Sequence, residues 1–147
     1  MKWKNEKGAA VVEFAIVLPL LLVIVFGIVE FGFVMYNQAM LTNAAREGAR
    51  FGITIGEERK STAQITQVVN DYCADYLFTF KSGSETAPET VVKVNGVETD
   101  PFGGLQPAQD YVTVEVSYSY DFLILPSFIT NLGVSKNLAA SATMRAE

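Results

Sequence analysis

The sequence predicts an α+β protein: a long N-terminal transmembrane helix that runs on into a small exported domain with a second helix and an antiparallel sheet. Three observations predict it. Residues 14–29 (FAIVLPLLLVIVFGIV) contain no charge, and the wider run 9–36 is interrupted only by Glu13 and Glu30. Residues 65–77 repeat apolar side chains at helical spacing. Residues 111–122 alternate strictly between apolar and polar, and a shorter alternation follows near the C-terminus.

The apolar run is the anchor. At 1.5 Å per residue its uncharged part covers about 24 Å and the whole run about 42 Å, enough to cross a hydrocarbon core of about 30 Å with some tilt. Lys2, Lys4 and Lys7 precede it with only Glu6 against them, so the positive-inside rule keeps the N-terminus cytoplasmic and exports residues 37–147. A cleaved secretory signal peptide is the competing reading. The length of the run, Glu30 within it and the lack of an A-x-A site favour a retained helix.

Good helix formers continue over residues 37–51, and no proline follows until Pro88. Leu41, Ala44, Ala45, Gly48, Ala49 and Gly52 form a stripe of mostly small residues at helical spacing, which lets another element approach closely. Gly52 and Gly56 supply stops. The first third therefore reads as one helix of about forty residues, kinked near Pro19.

A solvated charge run at residues 57–60 comes next. Ser61 and Gln64 then fit a capping box that opens a second helix. Ile65, Val68, Val69, Tyr72, Cys73, Tyr76 and Leu77 give that helix one apolar face. On this face Cys73 reads as a buried, inert thiol, with an intermolecular disulfide as the alternative. Residues 81–89 form a loop, and TVVKV-NG-VET signals a hairpin around a type I′ turn at Asn95-Gly96. Asp100 and Asp110 flank a second loop; a calcium site there lacks EF-hand spacing. Val112, Val114, Val116, Tyr118, Tyr120 and Phe122 line the buried face of a strand. After a loop at residues 126–133, Leu138, Ala140, Ala142 and Met144 repeat the pattern in a closing strand.

Composition narrows the function. Half of the 147 residues are hydrophobic and 18% are charged, which excludes wholesale disorder. The net charge of −5 opposes a nucleic-acid partner. No histidine occurs, which removes most zinc sites and every His-activated nucleophile, and one cysteine cannot form an internal disulfide. No G-x-S-x-G, P-loop or dinucleotide fingerprint is present. The sequence thus offers no catalytic residue, metal ligand, cofactor or small-molecule substrate. What stands out is Glu13 and Glu30, since an ionised carboxylate in mid-membrane costs about 2.5–3.5 kcal/mol on insertion scales unless it is paired. Each of them could sit near an opposite interface, about 25 Å apart on one helix.

Residues 7–14 (KGAAVVEF) resemble the processing site of type IV prepilins, which have a basic leader ending in glycine and a glutamate five residues into the mature chain. Cleavage after Gly8 would make Ala9 the first residue and Glu13 the fifth. The new α-ammonium could then pair with a neighbouring subunit's Glu13 inside an apolar bundle. The match narrows with Gly8, Glu13-Phe14, Pro19, Glu30-Phe31-Gly32 and the block NAAREGAR at 43–50, which look like the TadE-like family of minor pilins (pseudopilins). YVTVEVSYSYDF and LAASATMRAE resemble the ends of such proteins, while residues 53–110 carry no family signal.

The resemblance implies a role in assembly of the tight-adherence (Flp, type IV) pilus from the bacterial inner membrane. Its partners would be the membrane, a prepilin peptidase, other pilins and the assembly apparatus, with the pilus itself as a further location. It also implies a cleaved leader over residues 1–8, a transmembrane helix over 9–36, its exported continuation over 37–52 and a pilin-like α+β domain over 53–147. Gly8 and Ala9 would serve processing, and Glu13 and Phe14 assembly. Glu30, Arg46, Glu47 and Arg50 are further interaction candidates; Arg46 and Arg50 share one helix face, where phosphates or a partner's carboxylate could meet them. The alternative function is a single-pass anchored binding module whose exported domain recognises a ligand or surface, with Phe102, Tyr118 and Tyr120 as candidates. A tethered enzyme is the third class and lacks any catalytic constellation.

Overall fold

The computed structural model describes residues 6–54, 60–79, 87–98, 109–122 and 135–146. Helix α1 spans Glu6–Ile53 and α2 Thr62–Tyr76; strands β1, β2 and β3 span Glu89–Val94, Tyr111–Asp121 and Ser135–Arg145. This is the α+β layout that the periodicities predict.

α1 is a single helix of 48 residues, continuous through Pro19. Its surroundings change abruptly along its length. Nearly every residue from Gly8 to Val29 is exposed, with only Leu18 and Gly27 partly covered. From Glu30 onward one face is buried: Glu30, Val34, Asn37, Leu41, Ala44, Ala45 and Ala49 all lie within the fold. The first half therefore stands out of the domain, and the second half is its central element.

The strands form one antiparallel sheet in the order β1-β2-β3. Even-numbered residues of β2 point inward, so Val112, Val114, Val116, Tyr118 and Tyr120 are buried while Thr113, Glu115, Ser117 and Ser119 face out. Leu138 and Ala142 of β3 and Val92 of β1 complete that face. α1 lies across β2 and β3, and α2 fills the space beside it over β1. The small residues of the α1 stripe make this close packing possible. A Cβ on Gly48 would lie 2.6 Å from Val69 Cγ2, and one on Gly52 would lie 2.9 Å from Ile65 Cδ1.

α2 starts where the capping box puts it. Ser61 N–H donates to Gln64 Oε1 (2.9 Å), and Gln64 N–H donates back to Ser61 Oγ (3.3 Å). Ile65, Val69 and Cys73 are buried, Val68, Tyr72 and Leu77 partly so, and Tyr76 is exposed. Asn95 and Gly96 do form a turn with positive φ (51° and 83°), as a type I′ turn requires. Among the described residues, however, the returning arm pairs only at Val97, and β1 takes β2 as its partner instead. A side-chain clamp favours that choice: Asn95 Oδ1 accepts from Tyr111 N–H (3.1 Å) and Asn95 Nδ2 donates to Asp110 Oδ1 (2.7 Å). The loop at 126–133, most of the 57–60 charge run, Gly56, Asp100 and Phe102 lie outside the described residues. Lys60, the end of that run, sits 5.2 Å above the Phe51 ring.

Candidate functional site

The two glutamates of the apolar run stand in opposite surroundings. Glu13 is exposed on the bare half of α1 and has no hydrogen bond or ion pair among the described residues. Its neighbours are exposed too: Val11 67%, Val12 60% and Phe14 64%, with Gly8 and Ala9 also uncovered. In water such a surface would be strongly unfavourable. In lipid, or against other apolar helices, it is what a spanning segment requires.

Glu30, by contrast, is 1% exposed. The Tyr120 hydroxyl donates to its Oε1 at 2.6 Å, joining α1 to the inner face of β2. Burial, and then the bonded and charged Glu30 beside it, push the Tyr120 phenol above its ordinary pKa. Two further polar links follow along the same helix. Asn37 Nδ2 donates to the Phe78 carbonyl (2.8 Å), and Asn37 Oδ1 accepts from the Phe78 N–H (2.9 Å). Gln38 Nε2 donates to the Ala139 carbonyl at 2.7 Å. These links fix the domain on α1 immediately beyond the apolar run.

The remaining candidates do not converge. Arg46 and Arg50 are exposed and Glu47 is half-buried, on the outer side of α1 away from the sheet; none forms an ion pair among the described residues. Tyr118 and Tyr120 are core residues at 4% and 3% exposure, and the Tyr118 hydroxyl donates to Thr79 Oγ1 at 2.7 Å. They do not line an open aromatic site. Cys73 is a free, buried thiol whose pKa burial pushes up to about 11. A shallow cavity of about 380 Å³ lies on the wet face of the sheet, bordered by Glu89, Glu115, Ser117 and Ser141. No cluster of metal-ligating side chains occurs among the described residues.

The Glu30–Tyr120 pair was not read from the sequence, although a signal existed. Glu30, Val34, Asn37, Leu41, Ala44 and Gly48 follow one another at steps of three and four, so the buried stripe extends back to Glu30. Which strand residue would meet it depends on the register of α1 over β2, and no local pattern encodes that.

Residues 8–50 match the family model of TadE-like proteins. The matched segment runs from the glycine before the apolar run to Arg50, and so includes both glutamates and all of the small-residue stripe except Gly52. The likeness covers less than a third of the chain. Gly8–Ile53 is long and apolar enough to cross a membrane, and none of its most apolar window is buried, which fits a single-pass membrane protein. No curated protein and no solved structure matches the chain.

Proposed function

We propose that this chain is a minor pilin or pseudopilin of a tight-adherence pilus, non-catalytic, held in the inner membrane by α1 with its domain exported. In this reading a prepilin peptidase cuts after Gly8, and the new α-ammonium on Ala9 pairs with Glu13 of a neighbouring subunit. The observation that carries it is the contrast between the two carboxylates. Glu30 is buried against Tyr120 of its own chain, whereas Glu13 stands on an exposed apolar surface with no partner among the described residues. A carboxylate in that position needs a counter-charge, and processing would create one four residues away in sequence. In this reading the neighbouring subunit's Glu13 takes the charge, since a pair across chains neutralises both groups inside the apolar bundle and sets the stagger between subunits. Phe14 and the flanking valines would supply the apolar contact around the pair.

The test is the N-terminal sequence and intact mass of protein extracted from its native membrane. An N-terminus at Ala9 is expected, and Gly8→Lys should leave Met1 in place or the precursor uncut. Glu13→Ala should be processed and inserted normally yet enter the assembly poorly. Intact Met1 in the wild-type protein would overturn the processing step. Normal pilus output from the Glu13→Ala strain would overturn the pairing.

A further inference from the structure

The bare half of α1 and the domain meet at one level, and that level is aromatic. If residues 14–29 are centred in a hydrocarbon core of about 30 Å, the core ends near Phe31 or Gly32 and the headgroup layer reaches about another 6 Å, to the region of Met35. Phe33 lies within this layer, and the Phe78 ring stacks on it with centroids 4.5 Å apart. The Asn37 bonds hold the Phe78 backbone there, and Thr79 next to it accepts from Tyr118, one inward position from Tyr120. Around this level large apolar side chains remain uncovered: Phe31 62%, Met35 59%, Tyr76 50% and Phe78 40%. Phe31 and Met35 continue the exposed apolar surface of the spanning half of α1, and Phe78 joins it through its stack on Phe33.

We propose that this end of the exported domain is a second membrane contact, in which Tyr76 at the end of α2 and Phe78 just beyond it, with Phe31 and Met35 of α1, insert into the headgroup layer of a phospholipid bilayer. The occupant follows from continuity: the rim abuts a helix surface that is itself lipid-facing in the reading of α1 as a span, on which this proposal rests. Aromatic side chains favour that interface, where an apolar body and a wetter edge are both accommodated. The contact is apolar rather than electrostatic: Lys136 is the one exposed base beside Asp121 at this end of the sheet among the described residues, and exposed Asp75 next to Tyr76 leaves the rim without the basic cluster that anionic headgroups attract. The domain is then not carried on a free stalk. It rests on the membrane in a fixed orientation, with the Asn95–Gly96 turn at the far pole.

The test uses the full chain in vesicles of phosphatidylcholine and phosphatidylglycerol, with single cysteines placed in a Cys73→Ala background and labelled with a bimane fluorophore. Labels at Ile24→Cys, Phe78→Cys, Tyr76→Cys and Glu98→Cys are compared for quenching by lipids brominated at shallow or deep acyl positions. Ile24 should be quenched best by deep bromines, Phe78 and Tyr76 several-fold more by shallow bromines than Glu98, and Glu98 hardly at all. Because Phe78→Cys removes the stack on Phe33, Tyr76→Cys provides the independent reading. Quenching at Ile24 with none at Tyr76 or Phe78 overturns the rim while leaving the span intact. No quenching at Ile24 overturns both.

Discussion

Glu30 and Tyr120 form the polar contact on which the junction between helix and domain turns. Removing one hydroxyl beside a buried carboxylate takes away a hydrogen bond that bulk water cannot replace, and such losses cost about 1–3 kcal/mol. Tyr118 offers an internal comparison: it sits on the same strand face, is equally buried, and donates to a neutral hydroxyl on Thr79. Tyr120→Phe should therefore destabilise the domain more than Tyr118→Phe, for which about 0.5–1.5 kcal/mol is the usual range. Chemical denaturation in detergent would show it, and equal losses would mean that the bond to Glu30 is worth no more than the bond to Thr79. The pH dependence has a definite sign. The Tyr120 phenol is raised above its unfolded pKa in the fold. Its contribution is thus fully present below about pH 10 and is lost as pH rises beyond the ordinary tyrosine range. Cys73 behaves alike, with a thiol raised to about 11 and closed off from solvent. At pH 8 it should react with a maleimide only after the domain unfolds, and rapid labelling of the native protein would contradict its burial.

The glycines of α1 divide by what surrounds them. Nothing lies within 4 Å of the Cβ positions of Gly27 and Gly32, whereas Gly48 faces Val69, a short branched side chain that is fully buried and has no room to turn aside. Replacing a helical glycine by alanine gains up to about 1 kcal/mol of propensity. At Gly32 that gain should appear unopposed, while at Gly48 overpacking by about 1–3 kcal/mol should outweigh it. Thermal unfolding of Gly32→Ala and Gly48→Ala would give opposite signs. The result would show whether the stripe is a packing device of the domain, as the geometry has it, or a contact surface for another helix. This is also where reading the sequence succeeded and where it stopped. Spacing alone identified the stripe, the capped start of α2 and the inward face of β2, because each is a local period imposed by backbone geometry. It expected a hairpin after Asn95-Gly96 and left Glu30 without a partner, because both outcomes depend on which distant strand lies alongside. The exposure of Glu13 needs no distant strand, since its surroundings are the apolar run itself.

At the scale of the molecule, α1 serves two media with one backbone, and the boundary between them is narrow. Up to Val29 the helix is bare; from Glu30 its inward face is buried, and Leu41, Ala44, Ala45 and Ala49 are wholly enclosed beneath the sheet. The folded unit therefore contains the second half of α1 as its core helix, and a cut after residue 52 would remove the element on which β2, β3 and α2 all pack. Three starting points separate the contributions. A chain beginning at residue 30 keeps every inward contact of α1 and should unfold cooperatively near the transition of the full protein. One beginning at residue 39 loses the Glu30–Tyr120 bond, the buried Val34 side chain and the bonds from Asn37 and Gln38. Burial of a valine contributes about 1.5–3 kcal/mol and each such bond about 0.5–1.5 kcal/mol, so the loss is several kcal/mol out of a usual total of about 5–15 kcal/mol. That chain should melt at a much lower temperature or only broadly. One beginning at residue 53 lacks the central helix and should not fold. Circular dichroism melts of the three would decide the matter, and a cooperative fold from residue 53 would mean that the sheet and α2 form a core without α1.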